Sequence, residues 1–298
     1  MKFDIEEPEV VLEENNGVYN PNNKLNNLTG REWIKFTKSW FIHRPKARKD
    51  NEILHPAKYP ESLVKEFIEF FTKKGEWVLD PFLGTGSTLV AARSCERNGI
   101  GIELIDKYFK IAKKRAQSND EELQFTTDIK QVVIKGNSLH IKKVLKENNL
   151  SKTSIKYCIT SPPYWNQLKR NSIRQKERKE KGLDTQYSDF NNKEDIGNID
   201  DYNEFIEWQA KIFDNVFDVL VPGSYLTIIT NNVFADGRLY PLAYDTAISL
   251  TKRGSKSWAL KDEKIWCQDD KALLPLGINN AWVGNRAHQF CLIFRKEL

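Results

Sequence analysis

Short apolar runs alternate with amphipathic segments along most of the chain. The apolar runs predict seven strands, at residues 77–80, 99–103, 132–135, 155–160, 225–229, 264–267 and 289–294. Apolar residues at helical spacing predict helices at 61–73, 88–97, 106–117, 199–220 and 241–252. Strands that alternate with helices are typical of a parallel sheet with helices on both faces. The pattern therefore predicts an α/β fold with a seven-stranded, mostly parallel, doubly wound sheet.

Three segments fall outside this alternation. Residues 1–28 are polar and rich in asparagine, which predicts an irregular polar arm before a single domain at 29–298. Residues 166–198 lack periodicity and form a basic loop insert. Residues 255–287 form a second candidate insert, and either insert is a possible target-recognition element.

Composition excludes several classes of protein. The chain has 298 residues, 40% of them hydrophobic, and a formal net charge of +5. No apolar run approaches the ~20 residues of a membrane span, and the first residues show no signal peptide, so we expect a cytoplasmic protein. The four cysteines lie far apart and the histidines show no paired spacing, so we expect neither disulfides nor a metal site.

The net charge is concentrated in the basic loop. Between Leu168 and Lys181, seven cations face two acids, an excess equal to the net charge of the whole chain. Such a run is either a solvated, mobile loop or a flap that contacts phosphates. The loop directly follows Tyr164 and Trp165, and this adjacency favours the flap. We expect Lys169, Arg170, Arg174 and Arg178 to contact phosphates, with an affinity that falls as salt rises.

A glycine-rich turn follows the first predicted strand. It reads Asp80-Pro81-Phe82-Leu83-Gly84-Thr85-Gly86-Ser87-Thr88 and leads into a helix. Glycine lets the backbone turn sharply and approach a ligand, and a helix N-terminus attracts an anion or carboxylate. Glu103 ends the next strand, where a carboxylate can accept hydrogen bonds from ribose hydroxyls. Together these features favour a ligand with a nucleoside over a purely structural turn.

A second turn follows the fourth predicted strand. Thr160-Ser161-Pro162-Pro163-Tyr164-Trp165 contains two prolines, which cannot continue a strand ladder and make the turn rigid. The turn lies at the carboxyl end of a parallel strand, where open α/β sheets bind ligands. It offers the Ser161 hydroxyl, the Pro162 carbonyl and the Tyr164 ring, and we interpret it as a catalytic turn rather than an ordinary proline-rich loop.

These two turns resemble motifs of the S-adenosylmethionine-dependent DNA amino-methyltransferases, which methylate exocyclic amines. The Asp80–Gly86 segment resembles the methionine-side motif of that family, and Thr160–Trp165 resembles its catalytic motif. Further similarities lie in residues 55–60, 222–225 and 290–296, so the resemblance spans about residues 33–298. It implies the Rossmann-like class I methyltransferase fold and S-adenosylmethionine as the cofactor.

The resemblance also assigns residues to roles. It implies catalytic roles for Ser161, Pro162, Pro163 and Tyr164. The implied cofactor-binding residues are His55, Pro56, Asp80, Pro81, Phe82, Gly84, Thr85, Gly86, Ser87, Thr88, Glu103, Leu104, Asn137 and Ser138. Asn137 replaces an Asp that usually lies beside the adenine, and here the cofactor half precedes the catalytic half, an order that suggests a circular permutation.

The expected activity is transfer of a methyl group to DNA. A Ser at the head of the catalytic motif is more typical of N4-cytosine enzymes in the resembling family, and an Asp of N6-adenine enzymes. N6-adenine methylation, RNA methylation and non-catalytic nucleic-acid binding remain alternatives. We expect the target base to leave the duplex and to stack on Tyr164, with help from Trp165. The expected partners are double-stranded DNA and a cognate restriction endonuclease, without a membrane, and the chain is a monomer or a homodimer.

Overall fold

The computed structural model describes residues 11–13, 17–44, 59–117, 129–165, 192–256, 258–269 and 272–297. The strands are β1 Val11–Glu13, β2 Gly17–Tyr19, β3 Trp40–Ile42, β4 Trp77–Asp80, β5 Asn98–Glu103, β6 Gln131–Lys135, β7 Ile155–Thr160, β8 Leu220–Thr230, β9 Val233–Ala235, β10 Arg238–Tyr240, β11 Ala259–Cys267 and β12 His288–Arg295. The helices are α1 Gly30–Phe36, α2 Glu61–Phe71, α3 Ser87–Ser94, α4 Asp106–Gln117, α5 Ile141–Glu147, α6 Tyr202–Val219 and α7 Leu242–Thr251.

Eight strands form the main sheet, in the order β3-β11-β12-β8-β7-β4-β5-β6. The five strands from β8 to β6 are parallel, and β12 runs antiparallel between β8 and β11. All seven predicted strands are present, and the predicted α/β class with a mostly parallel sheet is confirmed. This order makes β4 and β7 neighbours near the centre of the sheet.

The predicted strand count of seven is wrong by one. The additional strand, β3, pairs in parallel with β11 at the sheet edge. Three residues amid cations are too few to show an alternating pattern, so the sequence does not reveal this strand. A buried lysine holds it: Lys264 of β11 donates hydrogen bonds to the carbonyls of Phe36 and Lys38.

Helices cover both faces of the sheet. On one face, α2 buries Leu63, Val64, Phe67 and other apolar residues against β4, β7 and β8. On the other face, α5, α6 and α7 pack on the same strands. Alternation along a strand divides its residues between the two layers, as in β7, where Tyr157 joins one layer and Cys158 the other. Because both faces are buried, the strands read as continuous apolar runs.

The described part of the asparagine-rich segment is partly regular. Strands β1 and β2 pair in antiparallel orientation. Asn26 is fully buried, and its side-chain amide donates a 2.7 Å hydrogen bond to the Phe70 carbonyl at the end of α2. Asn23 in turn donates to the Asn26 side-chain oxygen at 2.7 Å. Asparagines here replace apolar packing with side-chain hydrogen bonds, so this part of the predicted irregular arm docks on the domain. The division at residue 28 stays a prediction.

In the described part of the chain, no helix is long and apolar enough to cross a membrane.

Candidate active site

The two turns singled out in the sequence lie side by side. The glycine-rich turn follows β4 and the Ser161–Tyr164 turn follows β7, and these strands are parallel neighbours in the centre of the sheet. Both turns therefore lie at the carboxyl edge of the sheet, where ligands bind in open α/β folds. Pairing of β4 with β7 thus brings together two motifs that are about 80 residues apart in the chain.

Asp80 connects the two turns. Its buried carboxylate accepts hydrogen bonds from the Thr160 hydroxyl at 2.7 Å, the Tyr59 hydroxyl at 2.8 Å and the Thr88 hydroxyl at 2.5 Å, and from the Phe82 amide at 3.0 Å. Burial raises the pKa of Asp80, while these hydrogen bonds favour the charged form and oppose the rise. With both oxygens shared among protein donors, Asp80 fixes the relative position of the two turns.

The glycine-rich turn uses two residues with positive φ. Gly86 has a φ of +92°, and a Cβ there would lie 3.2 Å from the Cα of Ala112 in α4. Gly84 has a φ of +56°, and a Cβ there would have no neighbour within 4 Å among the described residues. Gly86 therefore permits packing of α4 against the turn, while Gly84 borders open space in which a ligand can approach the backbone.

The start of α3 offers a polar group to that space. The Ser87 hydroxyl oxygen is buried, and within the described ranges it has no hydrogen-bond partner. Buried polar groups normally have a partner, and an orphan at a helix N-terminus fits a carboxylate ligand. The methionine carboxylate of S-adenosylmethionine has this chemistry, so Gly84 and Ser87 fit the methionine end of the cofactor, and Thr85 lies buried between them.

Glu103 lies at the end of β5, next to the glycine-rich turn. Its carboxylate accepts 2.7 Å hydrogen bonds from the backbone amides of Gly84 and Ile105. Burial raises the pKa of Glu103 to about 7, although both amide donors favour the charged form. A carboxylate has about four lone-pair positions, so it can still accept hydrogen bonds from ribose hydroxyls. Leu104 is half-buried beside it.

Asn137 and Ser138 begin the short 3₁₀ turn after β6. The Asn137 side-chain oxygen accepts a 2.9 Å hydrogen bond from the Leu139 amide, and its amide group donates to Glu194 at 3.2 Å. The buried Ser138 hydroxyl donates a 2.6 Å hydrogen bond to the Pro81 carbonyl. Ser138 therefore supports the glycine-rich turn, while the Asn137 side chain contacts Glu194 and the Leu139 amide.

The Ser161–Tyr164 turn is held by the tyrosine. Its hydroxyl donates a 2.9 Å hydrogen bond to the side-chain oxygen of Gln289 in β12 and lies 3.4 Å from the Ser161 hydroxyl. Burial raises the pKa of Tyr164 to about 12, so the phenol stays protonated at neutral pH. At 3.4 Å the contact between Ser161 and Tyr164 is a weak hydrogen bond. The Ser161 hydroxyl oxygen can therefore accept a hydrogen bond from an N–H group of a substrate.

The structure buries Trp165, which the sequence predicts to contact DNA, and that contact stays a prediction. Its side chain is 4% exposed, its indole N–H donates a 3.0 Å hydrogen bond to the Asp200 carbonyl, and it packs against Tyr202 and Tyr240. In this structure the neighbouring side chains therefore cover nearly all of the Trp165 ring. Trp165 therefore supports the turn from within the protein. The sequence alone does not distinguish an aromatic residue that faces a site from one that is buried behind it.

Two residues of the site were missed in the sequence. Tyr59 belongs to a segment that resembles the family, and its hydrogen bond to Asp80 gives that resemblance a physical role. Gln289 lies 125 residues from Tyr164 and carries no local signal. The predicted cofactor residues His55 and Pro56 and the predicted DNA contacts Lys169, Arg170, Arg174 and Arg178 lie outside the described residues.

Comparison with known proteins gives partial matches to curated methyltransferases. The type II methyltransferase M.BglI of Bacillus subtilis is 39% identical over 93 residues, which are 31% of this chain and 26% of that protein. The type II methyltransferase M2.DpnII of Streptococcus pneumoniae is 43% identical over 67 residues, which are 22% of this chain and 25% of that protein. The matched segments thus span about a quarter of these relatives.

Two solved structures are similar at low identity. TrmN from Thermus thermophilus has a TM-score of 0.45 and 11% identity, covering 79% of this chain and 48% of that chain. A methyltransferase from Pyrococcus furiosus has a TM-score of 0.43 and 16% identity, covering 82% of this chain and 87% of that chain.

A sequence model of the DNA methylase family matches residues 9–114 and 155–297. These two ranges include the glycine-rich turn, Glu103, the Ser161–Tyr164 turn and Gln289. The match covers well over half of the chain, so the protein belongs to the N6/N4 DNA methylase family, whose cofactor is S-adenosylmethionine.

Proposed function

We propose that the protein transfers a methyl group from S-adenosylmethionine to the exocyclic N4 amine of cytosine in double-stranded DNA. The observation that carries the proposal is the hydrogen bond from Thr160 to Asp80, which ties the turn with the Ser161 hydroxyl to the turn that fits the cofactor. A methyl donor and an amine acceptor held by these two turns would lie at adjacent strand ends.

The chemistry requires a more nucleophilic amine. The lone pair of an exocyclic amine is delocalised into the base, so the amine is a poor nucleophile. Bound S-adenosylmethionine supplies a methyl group on a sulfonium, which is a good leaving group. The Ser161 hydroxyl and the Pro162 carbonyl accept hydrogen bonds from the two N–H groups and favour tetrahedral geometry at nitrogen. Holding the amine in line with the methyl group supplies much of the remaining acceleration.

Tyr164 would hold the target base. Its phenol is fixed by Gln289, so the orientation of the ring is set before a base arrives. The base must leave the duplex to reach a site at the end of a strand, and stacking on an aromatic ring contributes roughly 1–3 kcal/mol per base. The proton released from nitrogen passes to water after methyl transfer.

The choice of cytosine rests on Ser161. A hydroxyl is a neutral acceptor and heads the catalytic turn here, which is the pattern more typical of N4-cytosine enzymes. N6-adenine methylation is the alternative, because a hydroxyl and a carboxylate both accept hydrogen bonds from an amine. DNA from cells that express the protein, digested to nucleosides and analysed by mass spectrometry, should contain N4-methylcytosine. N6-methyladenine without N4-methylcytosine would show the alternative to be correct.

Ser161→Ala tests the assigned mechanism. The variant removes one of two acceptors of the amine, and the loss of one positioned hydrogen-bonding group in an active site lowers turnover by about 10²–10³-fold. The Ser161 side chain makes no hydrogen bond to the glycine-rich turn within the described residues, so cofactor affinity should stay unchanged. Single-turnover methylation and calorimetric titration with S-adenosylmethionine measure the two quantities. Full turnover in the variant would contradict the role of Ser161.

A further inference from the structure

The loop between β11 and β12 exposes three large apolar side chains. Trp282 is 92% exposed, Leu273 is 75% exposed and Ile278 is 64% exposed. Single exposed apolar residues are common on protein surfaces, but a tryptophan with almost its entire surface in water is unusual. Several such residues within ten positions of one loop indicate a surface that binds a partner.

Backbone and side-chain hydrogen bonds hold residues 272–287 of this loop in place. Its base is closed by a 2.7 Å hydrogen bond from the Gln268 amide to the Ala287 carbonyl. Between this base and the tip of the loop, the Asn285 side chain accepts a 2.9 Å hydrogen bond from the Leu274 amide and donates a 2.8 Å hydrogen bond to the Leu274 carbonyl. The tip turns at Gly277, whose φ is +65° and whose carbonyl accepts from the Ala281 amide at 3.0 Å. The loop therefore presents Trp282 on a preorganised scaffold.

The loop lies at the same edge of the sheet as the candidate active site. The start of β12 pairs with the end of β8, as shown by the pair Phe290 and Thr230. Gln289, seven residues after Trp282, holds the hydroxyl of Tyr164. The chain thus runs from the exposed tryptophan directly into the side chain that positions the catalytic turn.

The charges around the loop suit a polyanion. Residues 272–287 contain no acidic residue, and Arg286 lies with its guanidinium 5.7 Å from the ring centroid of Phe234. The neighbouring β9–β10 hairpin exposes both Arg238 and Asp236, so it adds no net charge. An apolar tip with Arg286 near its base and no acid among residues 272–287 suits a nucleic-acid duplex, in which apolar base faces lie between two rows of phosphates.

We propose that Trp282 inserts into the DNA duplex as an apolar wedge and occupies the gap that the target base leaves. This inference rests on the proposed function, because a methyltransferase that acts on an extruded base must stabilise the duplex around an empty position. Apolar side chains that enter between base steps are an established way for proteins to offset the cost of unstacking. Trp282 would stack on the bases that flank the gap, and the rigid loop would supply its position.

The test compares two duplexes that carry the target sequence, which is first identified by modification-sensitive sequencing of DNA from cells that express the protein. One duplex is intact. In the other, a pyrene nucleotide opposite the target base fills the gap and displaces the base. Affinities are measured by fluorescence anisotropy, without any need for turnover. Trp282→Ala should bind the intact duplex about tenfold more weakly than the wild type, because base stacking on one aromatic ring is lost. The pyrene duplex should restore its affinity to within about threefold of the wild-type value.

Matched variants control for folding and for the loss of any tryptophan. Trp33 is 36% exposed and lies beside Gly223 and Arg295, at the opposite edge of the sheet, so Trp33→Ala should not change DNA affinity. Trp282→Phe should keep most of the affinity, and titration with S-adenosylmethionine should give the same Kd for all variants.

Three results would overturn the inference. Unchanged affinity of Trp282→Ala for the intact duplex would show that the ring does not contact DNA. A loss that pyrene does not restore would place the ring outside the base stack. Conversion of a dimer to a monomer by Trp282→Ala in analytical ultracentrifugation would identify a second copy of the chain as the partner. If the wild type binds neither duplex, the proposed function fails together with this inference, and the nucleoside analysis shows that failure separately.

Discussion

The glycine-rich turn and the Ser161–Tyr164 turn are held in different ways. Buried carboxylates organise the first: Asp80 and Glu103 together accept hydrogen bonds from two backbone amides of this turn and from surrounding hydroxyls. The second is held by prolines and by the contact of Tyr164 with Gln289, while Ser161 makes a weak contact of 3.4 Å. Each buried acid on the cofactor side thus accepts at least two hydrogen bonds from the protein, whereas the Ser161 hydroxyl on the substrate side makes one weak contact.

This difference predicts that substitutions in the two turns affect different properties, stability in one case and turnover in the other. Removing one of the buried acids on the cofactor side leaves several buried partners unsatisfied, so it should reduce stability. Removing a group on the substrate side should reduce turnover and leave stability unchanged.

Asp80→Ala should be the most damaging change. It leaves the buried hydroxyls of Thr88 and Thr160 without their acceptor and breaks the connection between the two turns. An unsatisfied buried group costs about 1–3 kcal/mol, so the free energy of unfolding should fall by roughly 3–5 kcal/mol. Urea denaturation of the variant and the wild type measures this difference in the free energy of unfolding.

Asp106→Ala is the matched control for Asp80→Ala. Asp106 is an exposed acid that forms ion pairs with Lys110 and Lys135 on the protein surface. Solvent screens these exposed ion pairs, so this variant should unfold close to the wild-type midpoint. Equal losses in the two variants would contradict the view that burial makes Asp80 the organiser of the site.

Much of the fold can be predicted from the sequence, because β-branched runs and helical spacing are local patterns. The seven predicted strands follow from such patterns, whereas β3 does not, since three residues carry too little periodicity. The site divides in the same way. Gly84 and Gly86 are visible locally because positive φ selects glycine. The contacts of Tyr59 with Asp80 and of Gln289 with Tyr164 depend on packing between distant segments, so the sequence does not show them.

Gly86→Ala and Gly84→Ala add the same methyl group to one turn, at a packed position and at an open position respectively. Both positions have positive φ, which costs an L-residue about 1–2 kcal/mol. At Gly86 the added Cβ would also press on Ala112, whose backbone must then shift. Gly86→Ala should therefore lose about 2–3 kcal/mol of stability and Gly84→Ala about 1–2 kcal/mol.

The two glycine variants should differ in the opposite sense in their affinity for the cofactor, when the loss of affinity is compared with the loss of stability. Per unit of stability lost, Gly84→Ala should weaken binding of S-adenosylmethionine more, because its methyl group would project into the space that the ligand needs. Thermal unfolding and calorimetric titration of the same preparations give both quantities. If Gly84→Ala bound the cofactor as the wild type does, the open space beside Gly84 would not be the cofactor site.

Glu103 should make cofactor binding depend on pH. Its pKa is raised to about 7 by burial, above the value of 4.5 for an unperturbed glutamate. The charged form is the better acceptor for two ribose hydroxyls, so affinity for S-adenosylmethionine should rise as pH increases through about 7. Between pH 6 and pH 8 the ionised fraction changes by about tenfold, which sets the expected gain. The same shift makes the folded protein bind its proton more tightly than the unfolded chain, so this residue's contribution to stability should decrease from about pH 4.5 to about pH 7.

Glu103→Gln removes this titration and keeps the size of the side chain. The amide oxygen can accept only one of the two backbone hydrogen bonds in its place, so cofactor affinity should be lower at pH 8. Titration of the cofactor's own amine contributes equally to both proteins, and the ratio of their dissociation constants isolates Glu103. That ratio should grow as pH rises from 6 to 8. A constant ratio would mean that Glu103 keeps one protonation state across this range and serves the turn alone, through its bonds to Gly84 and Ile105.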